Sequence, residues 1–266
     1  MKTAKDLLEK YNLTPKKKFG QNFLIDDNIL RKIAKNYNPE FPIIEIGPGT
    51  GAMTQYFLKN TKSHVYLVEY DSDMIEILKN EFNNIKEIFH DDASKFDFSR
   101  ILKKEKKEFI IFGNLPYNVS SQIIFNLIKN IDKIHSCYFM VQKEVAKRLV
   151  ENKNSKNYSR LTVMTDLYFD KKILFDVKPN SFLPPPRVDS SIVIFKKKTK
   201  LLNKLKSREK FAEVVKKAFS QRRKMLRNNL KEYQSFKLEN VIDLKQRAEN
   251  LSVEDYVNIV NYMLEP

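Results

Sequence analysis

Between residues 42 and 142, short apolar runs alternate with helix-patterned segments: PIIEIG, GAMTQYFLKN, HVYLVEY, SDMIEILKNEF, IKEIFH, FIIFGN, SSQIIFNLIKN and CYFMVQ. Apolar runs this continuous leave no face for solvent, so they belong in a sheet covered on both sides. The helices between them supply the crossovers that parallel strands require. The stretch predicts an α/β fold with a mostly parallel, doubly wound sheet. LTVMTDLYF with KKILFD, and later SSIVIF, read as further strands without long intervening helices, which predicts an antiparallel edge. Beyond KKKTK at 196–200 the pattern turns helical, with KFAEVVKKAF and SVEDYVNIVNYML as the clearest pieces. Two domains are expected, 1–198 and 199–266, and no internal repeat is visible.

Ligand-binding signals fall where the predicted strands end. Gly47, Gly49 and Gly51 alternate directly after the first of them, a pattern that lets the backbone turn tightly and approach a ligand closely. Gly47, Gly49 and Ala52 also satisfy the dinucleotide fingerprint, so the turn alone does not choose between cofactors. Glu69 ends the second strand 22 residues beyond Gly47, where a carboxylate can take two ribose hydroxyls. Asp92 follows the third strand, placed to accept a hydrogen bond from an adenine amino group. Together they describe a nucleoside cradle. The fourth strand empties into FGNLPYNVSS. There Asn114 offers an amide oxygen, Leu115 and Pro116 continue a turn whose φ the proline fixes, and Tyr117 adds an aromatic face. Such a turn suits a flat base gripped by its exocyclic amine.

Charge points to a second partner. The chain carries a net +16, and residues 196–247 hold 18 basic against 5 acidic residues, a net +13 of that total. Concentration at one end favours a polyanion-binding element, with Arg222, Arg223, Lys224 and Arg227 as candidate phosphate contacts. No run of eighteen apolar residues occurs, so no membrane span is expected. MKTAKDLLEKYNL lacks the apolar core of a secretory leader and contains acidic residues unlike a transit peptide. One cysteine, Cys137, excludes an intramolecular disulfide, and a cytoplasmic location is expected. His64, His90 and His135 are dispersed without metal-ligand spacing, so no metal is expected.

KKKFGQNFL, EIGPGTG, VEYD, DDA, FGNLPYN, SFLPPPRVDSSI, AFSQRRKMLRNNL and RAENLSVEDY run nearly end to end along the chain. In these motifs it resembles the Rossmann-type S-adenosylmethionine-dependent rRNA adenine N6-dimethyltransferases. Within them it resembles the bacterial small-subunit (16S) type, because the last two motifs lie in the C-terminal region while the catalytic ones are shared with large-subunit, macrolide-resistance enzymes. Those relatives usually carry Asn-Ile-Pro-Tyr where this chain has NLPYN.

The resemblance implies dimethylation of two neighbouring adenosines near the 3′ end of small-subunit rRNA, in an immature 30S-type particle, by a monomer. It implies that Asn22 and Leu24 cover the methionine end of S-adenosylmethionine, with Gly47 beneath it, Glu69 at the ribose and Asp92 at the adenine. Asn114 would touch both cofactor and target amine, and Phe182 would stack on the flipped base opposite Tyr117. Without the family, FLPPP reads as a polyproline linker. The chain departs from the family at Asn154, where glycine is common ahead of the Lys-x-Tyr turn. Three other readings stand beside this one: a large-subunit methyltransferase, a ribosome-assembly factor whose catalysis is dispensable, and a nicotinamide dehydrogenase. The last is weakened because no His or Lys sits in a recognisable hydride-transfer motif.

Overall fold

The computed structural model describes residues 2–116 and 119–265. Nine strands occur among them: β1 Phe23–Leu24, β2 Ile43–Ile46, β3 Val65–Glu69, β4 Glu87–His90, β5 Phe109–Asn114, β6 Ile134–Gln142, β7 Phe169–Val177, β8 Phe182–Leu183 and β9 Ser190–Lys197. Seven form one sheet in the order β4-β3-β2-β5-β6-β9-β7, and β1 and β8 make a separate antiparallel pair. β2 and β3 are buried along their whole length, which is why IIEI and VYLVE show no alternation. β2 pairs in parallel with both β3 and β5, β3 with β4, and β5 with β6, while β9 runs antiparallel to β6. The chain therefore builds outward from β2 in one direction, returns, and builds outward through β5 in the other. The crevice beyond the carboxyl ends of β2 and β5 is the switch point where open α/β sheets bind ligands.

The helices are α1 Ala4–Lys10, α2 Asp27–Ala34, α3 Thr54–Asn60, α4 Ser72–Glu81, α5 Ser99–Leu102, α6 Ser120–Ile128, α7 Lys143–Val150, α8 Arg160–Asp166, α9 Arg208–Ala218, α10 Leu226–Asn229 and α11 Val253–Met263. α3, α4 and α6 are the crossover helices expected between strands. α8 is a correction, because LTVMTDLYF reads as a strand. Ser159 and Thr162 form a capping box that starts a helix here, and Leu161, Thr162, Val163, Met164 and Thr165 are all buried. A helix buried on every side has lost the 3.6-residue pattern that identifies it, and its Thr and Val residues imitate a strand.

Two compact units emerge: the chain up to Ala146 with Lys172–Lys196, and Lys147–Lys171 with the chain from Lys197 onward. They are not the consecutive stretches 1–198 and 199–266, because α8 packs against α9 and so groups with the later helices. The second unit's core includes Phe211, Val214 and Val215 of α9 with Tyr256, Val257 and Val260 of α11. Among the described residues no helix is long and apolar enough to cross a membrane.

Candidate active site

A cavity of about 330 Å³ opens at the switch point, lined by the glycine turn after β2, the ends of β3 and β5, and residues 18–24. Gly47, Gly49 and Gly51 have φ of 64°, 56° and 82°, a left-handed run that only glycine adopts without strain. At Gly49 the requirement is double, since a Cβ there would stand 2.7 Å from the Phe23 ring. The turn can therefore press its backbone against β1, with the N–H groups of Gly47, Gly49 and Gly51 donated to Val68, Glu69 and Pro48.

Glu69 fastens that turn. One of its carboxylate oxygens accepts from the Gly49 N–H at 3.0 Å, and the other accepts from the N–H groups of Tyr70 at 2.7 Å and Asp71 at 2.9 Å. Burial pushes the Glu69 carboxyl up while these backbone donors pull it down. A carboxylate has about four acceptor sites, so roughly one remains for a ligand hydroxyl. Asp92 also lines the cavity, with one oxygen held by the Ser94 N–H and hydroxyl at 2.9 and 2.7 Å.

The opposite wall comes from β5. Asn114 donates its side-chain N–H to the Asn22 carbonyl at 2.9 Å, which leaves the amide oxygen as the carboxamide's acceptor and ties residues 18–24 to the strand end. The Asn22 side chain donates in turn to the Gly20 carbonyl. Leu115 is buried, its N–H bonded to the Met140 carbonyl. Pro116 lines the cavity, and its carbonyl accepts from the Val119 N–H. Tyr117 lies outside the described residues.

Phe182 departs from its expected place. Leu24 lines the cavity and pairs with Phe182 across the β1–β8 ladder, yet Phe182 is only 2% exposed and does not line it. Its ring belongs to an apolar cluster that includes Leu24, Tyr138, Met140 and Ile192, because burial of so large an apolar ring outweighs its exposure at a polar mouth.

Two residues missing from the sequence-based set also line the cavity. Glu45 is buried in β2, accepts from the Thr54 hydroxyl at 2.7 Å, and is pushed up to about 8 by burial, with the Glu69 charge adding to the shift. A glutamate inside the run PIIEIG was the available signal, since buried parallel strands rarely hold a charge. Asp71 is 2% exposed; its carboxylate takes the Lys16 ammonium at 2.6 Å and the Gln21 amide at 2.7 Å. It thereby anchors residues 16–21 beside Glu69.

In the second unit, Arg222 is engaged internally, donating Nε to Glu249 at 3.0 Å and a terminal nitrogen to the Lys156 carbonyl. Two of its five N–H groups are thereby engaged, and the residue is exposed. Arg223, Lys224 and Arg227 are exposed and have no salt-bridge partner among the described residues.

The strand order, the glycine turn and the carboxylate at the end of β3 define a Rossmann-like methyltransferase. The model of the family "Ribosomal RNA adenine dimethylase" matches residues 12–265, and the chain belongs to that family. It is 42% identical over 262 residues, 95% of this chain and 99% of the relative, to "Ribosomal RNA small subunit methyltransferase A" of Francisella tularensis subsp. novicida. The protein of the same name from Nitrosospira multiformis is 41% identical over 94% of this chain and 96% of its own. Among solved structures, a dimethyladenosine transferase from Plasmodium falciparum superposes with a TM-score of 0.74 at 28% identity, covering 89% of this chain and 95% of that one. The 23S rRNA methyltransferase ErmE shares the fold, with a TM-score of 0.63 at 22% identity over 92% and 100% of the two chains.

S-adenosylmethionine is the methyl donor of this family, and the residues lining the cavity fit it. The glycine turn leaves room for close approach, Glu69 keeps an acceptor, and the buried Thr50 hydroxyl lines the cavity with no hydrogen-bond partner among the described residues.

Proposed function

We propose that the protein dimethylates the N6 amines of two adjacent adenosines near the 3′ end of small-subunit rRNA, acting as a cytoplasmic monomer on an immature 30S-type particle. The observation that carries this reading is one cavity whose wall continues from the glycine turn and Glu69 to Asn114, Leu115 and Pro116 at the end of β5. A nucleoside-binding floor and a base-gripping turn then share one space. The small-subunit relatives at 41–42% identity support the choice of rRNA.

When bound, the cofactor supplies an electrophilic methyl group on a sulfonium. Glu69 takes a ribose hydroxyl with its remaining acceptor site, and Asp92 takes the adenine amine. An exocyclic amine of adenosine is a weak nucleophile because its lone pair is shared with the ring. The Asn114 amide oxygen accepts one amine hydrogen and orients the nitrogen toward the methyl. An amide is no base at neutral pH, so the effect of Asn114 is positional and electrostatic. Residues 16–24, held by Asp71 and Asn114, cover the methionine end. In the second unit, Arg223, Lys224 and Arg227 hold rRNA phosphates.

A tritiated-methyl assay on immature small subunits, large subunits and naked rRNA, with the modified nucleoside identified, tests the proposal. N6,N6-dimethyladenosine in small subunits is the expected product. Label confined to large subunits would overturn the choice of particle.

A further inference from the structure

The segment 151–160 is exposed along much of its length, yet it is tightly fastened within its unit. Asn152, Lys153, Asn154 and Lys156 are exposed, while Tyr158 is buried. Asn154 stands at φ 72°, left-handed backbone where asparagine is the best-tolerated residue after glycine. Its N–H donates to the Glu249 carbonyl at 2.9 Å, and its side-chain oxygen accepts from the Asn250 amide at 2.9 Å. Glu249 also receives Arg222, whose other end donates to the Lys156 carbonyl. Asn154 is thus held by the Glu249 carbonyl and the Asn250 side chain, and the Lys156 carbonyl by Arg222, which the Glu249 carboxylate orients.

The clamp uses only the backbone of Lys156 and nothing of Lys153. The ammonium groups of both lysines have no ion-pair partner among the described residues and both residues are exposed, while the Lys156 carbonyl receives Arg222, the chain neighbour of Arg223 and Lys224. Ordering a polar, exposed segment with a strained residue has no packing reward beyond Tyr158, so its return lies in what the segment presents. It presents two unpaired cations and exposed asparagine side chains, the groups that hold phosphate and sugar oxygens of nucleic acid.

We propose that Lys153 and Lys156 form, with Arg223 and Lys224, one phosphate-binding surface for the rRNA backbone, and that Arg222 and Glu249 are positioning residues that hold the 151–160 segment in it. The inference rests on the rRNA-binding reading above and extends it to a segment which the charge distribution did not mark. Asparagine in place of the usual glycine adds a side-chain bond to Asn250 and fixes the turn more firmly.

The test is binding of small-subunit rRNA across a salt series by wild type, Lys153→Gln/Lys156→Gln and Arg223→Gln/Lys224→Gln. Each double variant is expected to flatten the log–log slope by about one to two, one counterion set per phosphate lost. Cofactor affinity by calorimetry should stay at the wild-type value. An unchanged slope for Lys153→Gln/Lys156→Gln, with a flattened slope for Arg223→Gln/Lys224→Gln, would overturn this proposal and leave the rRNA-binding reading standing. Salt-independent binding by wild type would remove both. For the positioning role, Arg222→Gln should raise amide hydrogen exchange at residues 153–157 and flatten the slope, and Arg222→Lys should restore part of each. Unchanged exchange there would overturn the role.

Discussion

The cofactor cavity and the basic surface of the second unit are built from opposite materials. Around the cavity, backbone shapes the walls: three left-handed glycines form the turn, and a buried Glu69 is fixed by three backbone N–H groups. On the second unit, long exposed side chains provide the groups, and the backbone only aims them. A buried, backbone-built site concentrates its free energy in a few residues whose removal leaves unsatisfied partners. An exposed, charge-built site spreads it over many weak, salt-screened contacts. Substitutions should therefore act sharply in the first and incrementally in the second.

Glu69→Ala is the largest break of that contrast outside the chemistry. It strands the N–H groups of Gly49, Tyr70 and Asp71, so S-adenosylmethionine affinity should fall about 10- to 100-fold, or roughly 1.4 to 2.8 kcal/mol. Isothermal calorimetry measures it, and wild-type affinity would show that the turn holds its shape without the carboxylate.

In the second unit the expected effects are smaller and differ between neighbours. Arg223→Gln/Lys224→Gln should leave thermal stability unchanged while lowering rRNA affinity at low salt. Arg222→Gln should lower the unfolding free energy by about 0.5 to 1 kcal/mol through its lost Glu249 pair, in the range of a well-placed exposed ion pair. Equal behaviour of the three arginine and lysine positions in denaturant titrations would erase the distinction.

The smallest effect on binding is a fraction of a proton. Burial holds Glu45 near 8 when folded against an ordinary 4.5. Between those values the folded protein retains a proton that the unfolded chain has released. The associated stability is full below 4.5 and is lost as pH rises through 8. Glu45→Gln should thus flatten the fall in stability of the cofactor-free protein across that window. A cationic cofactor favours the ionised carboxylate, so binding near pH 7.5 should release up to about three-quarters of a proton, and less in Glu45→Gln. Calorimetry in buffers of different ionisation enthalpy counts it.

The same contrast explains what the sequence disclosed. Glycines, buried strand runs and carboxylates at strand ends are local requirements of backbone geometry, so Gly47, Gly49, Gly51, Glu69 and Asp92 are legible as residues. Asp71 was hidden because its role depends on Lys16 and Gln21, some fifty residues distant in sequence. Phe182 was placed at the cavity by resemblance, whereas its burial follows from tertiary packing that no local pattern encodes. The segment Lys147–Lys171 looked continuous with the sheet because α8 is buried on all sides and carries no amphipathic signature. Charge density located the basic region but could not separate Arg222, which is internally paired, from Arg223, which is not.

The most direct measurement is single-turnover methyl transfer to immature small subunits by Asn114→Ala at saturating cofactor. If Asn114 aligns the target amine from the end of β5, the rate falls by about 10² or more, as for loss of a group that acts in the transition state, while binding to the particle is retained. A wild-type rate in Asn114→Ala would contradict the assignment of this turn as the place where the methyl is transferred.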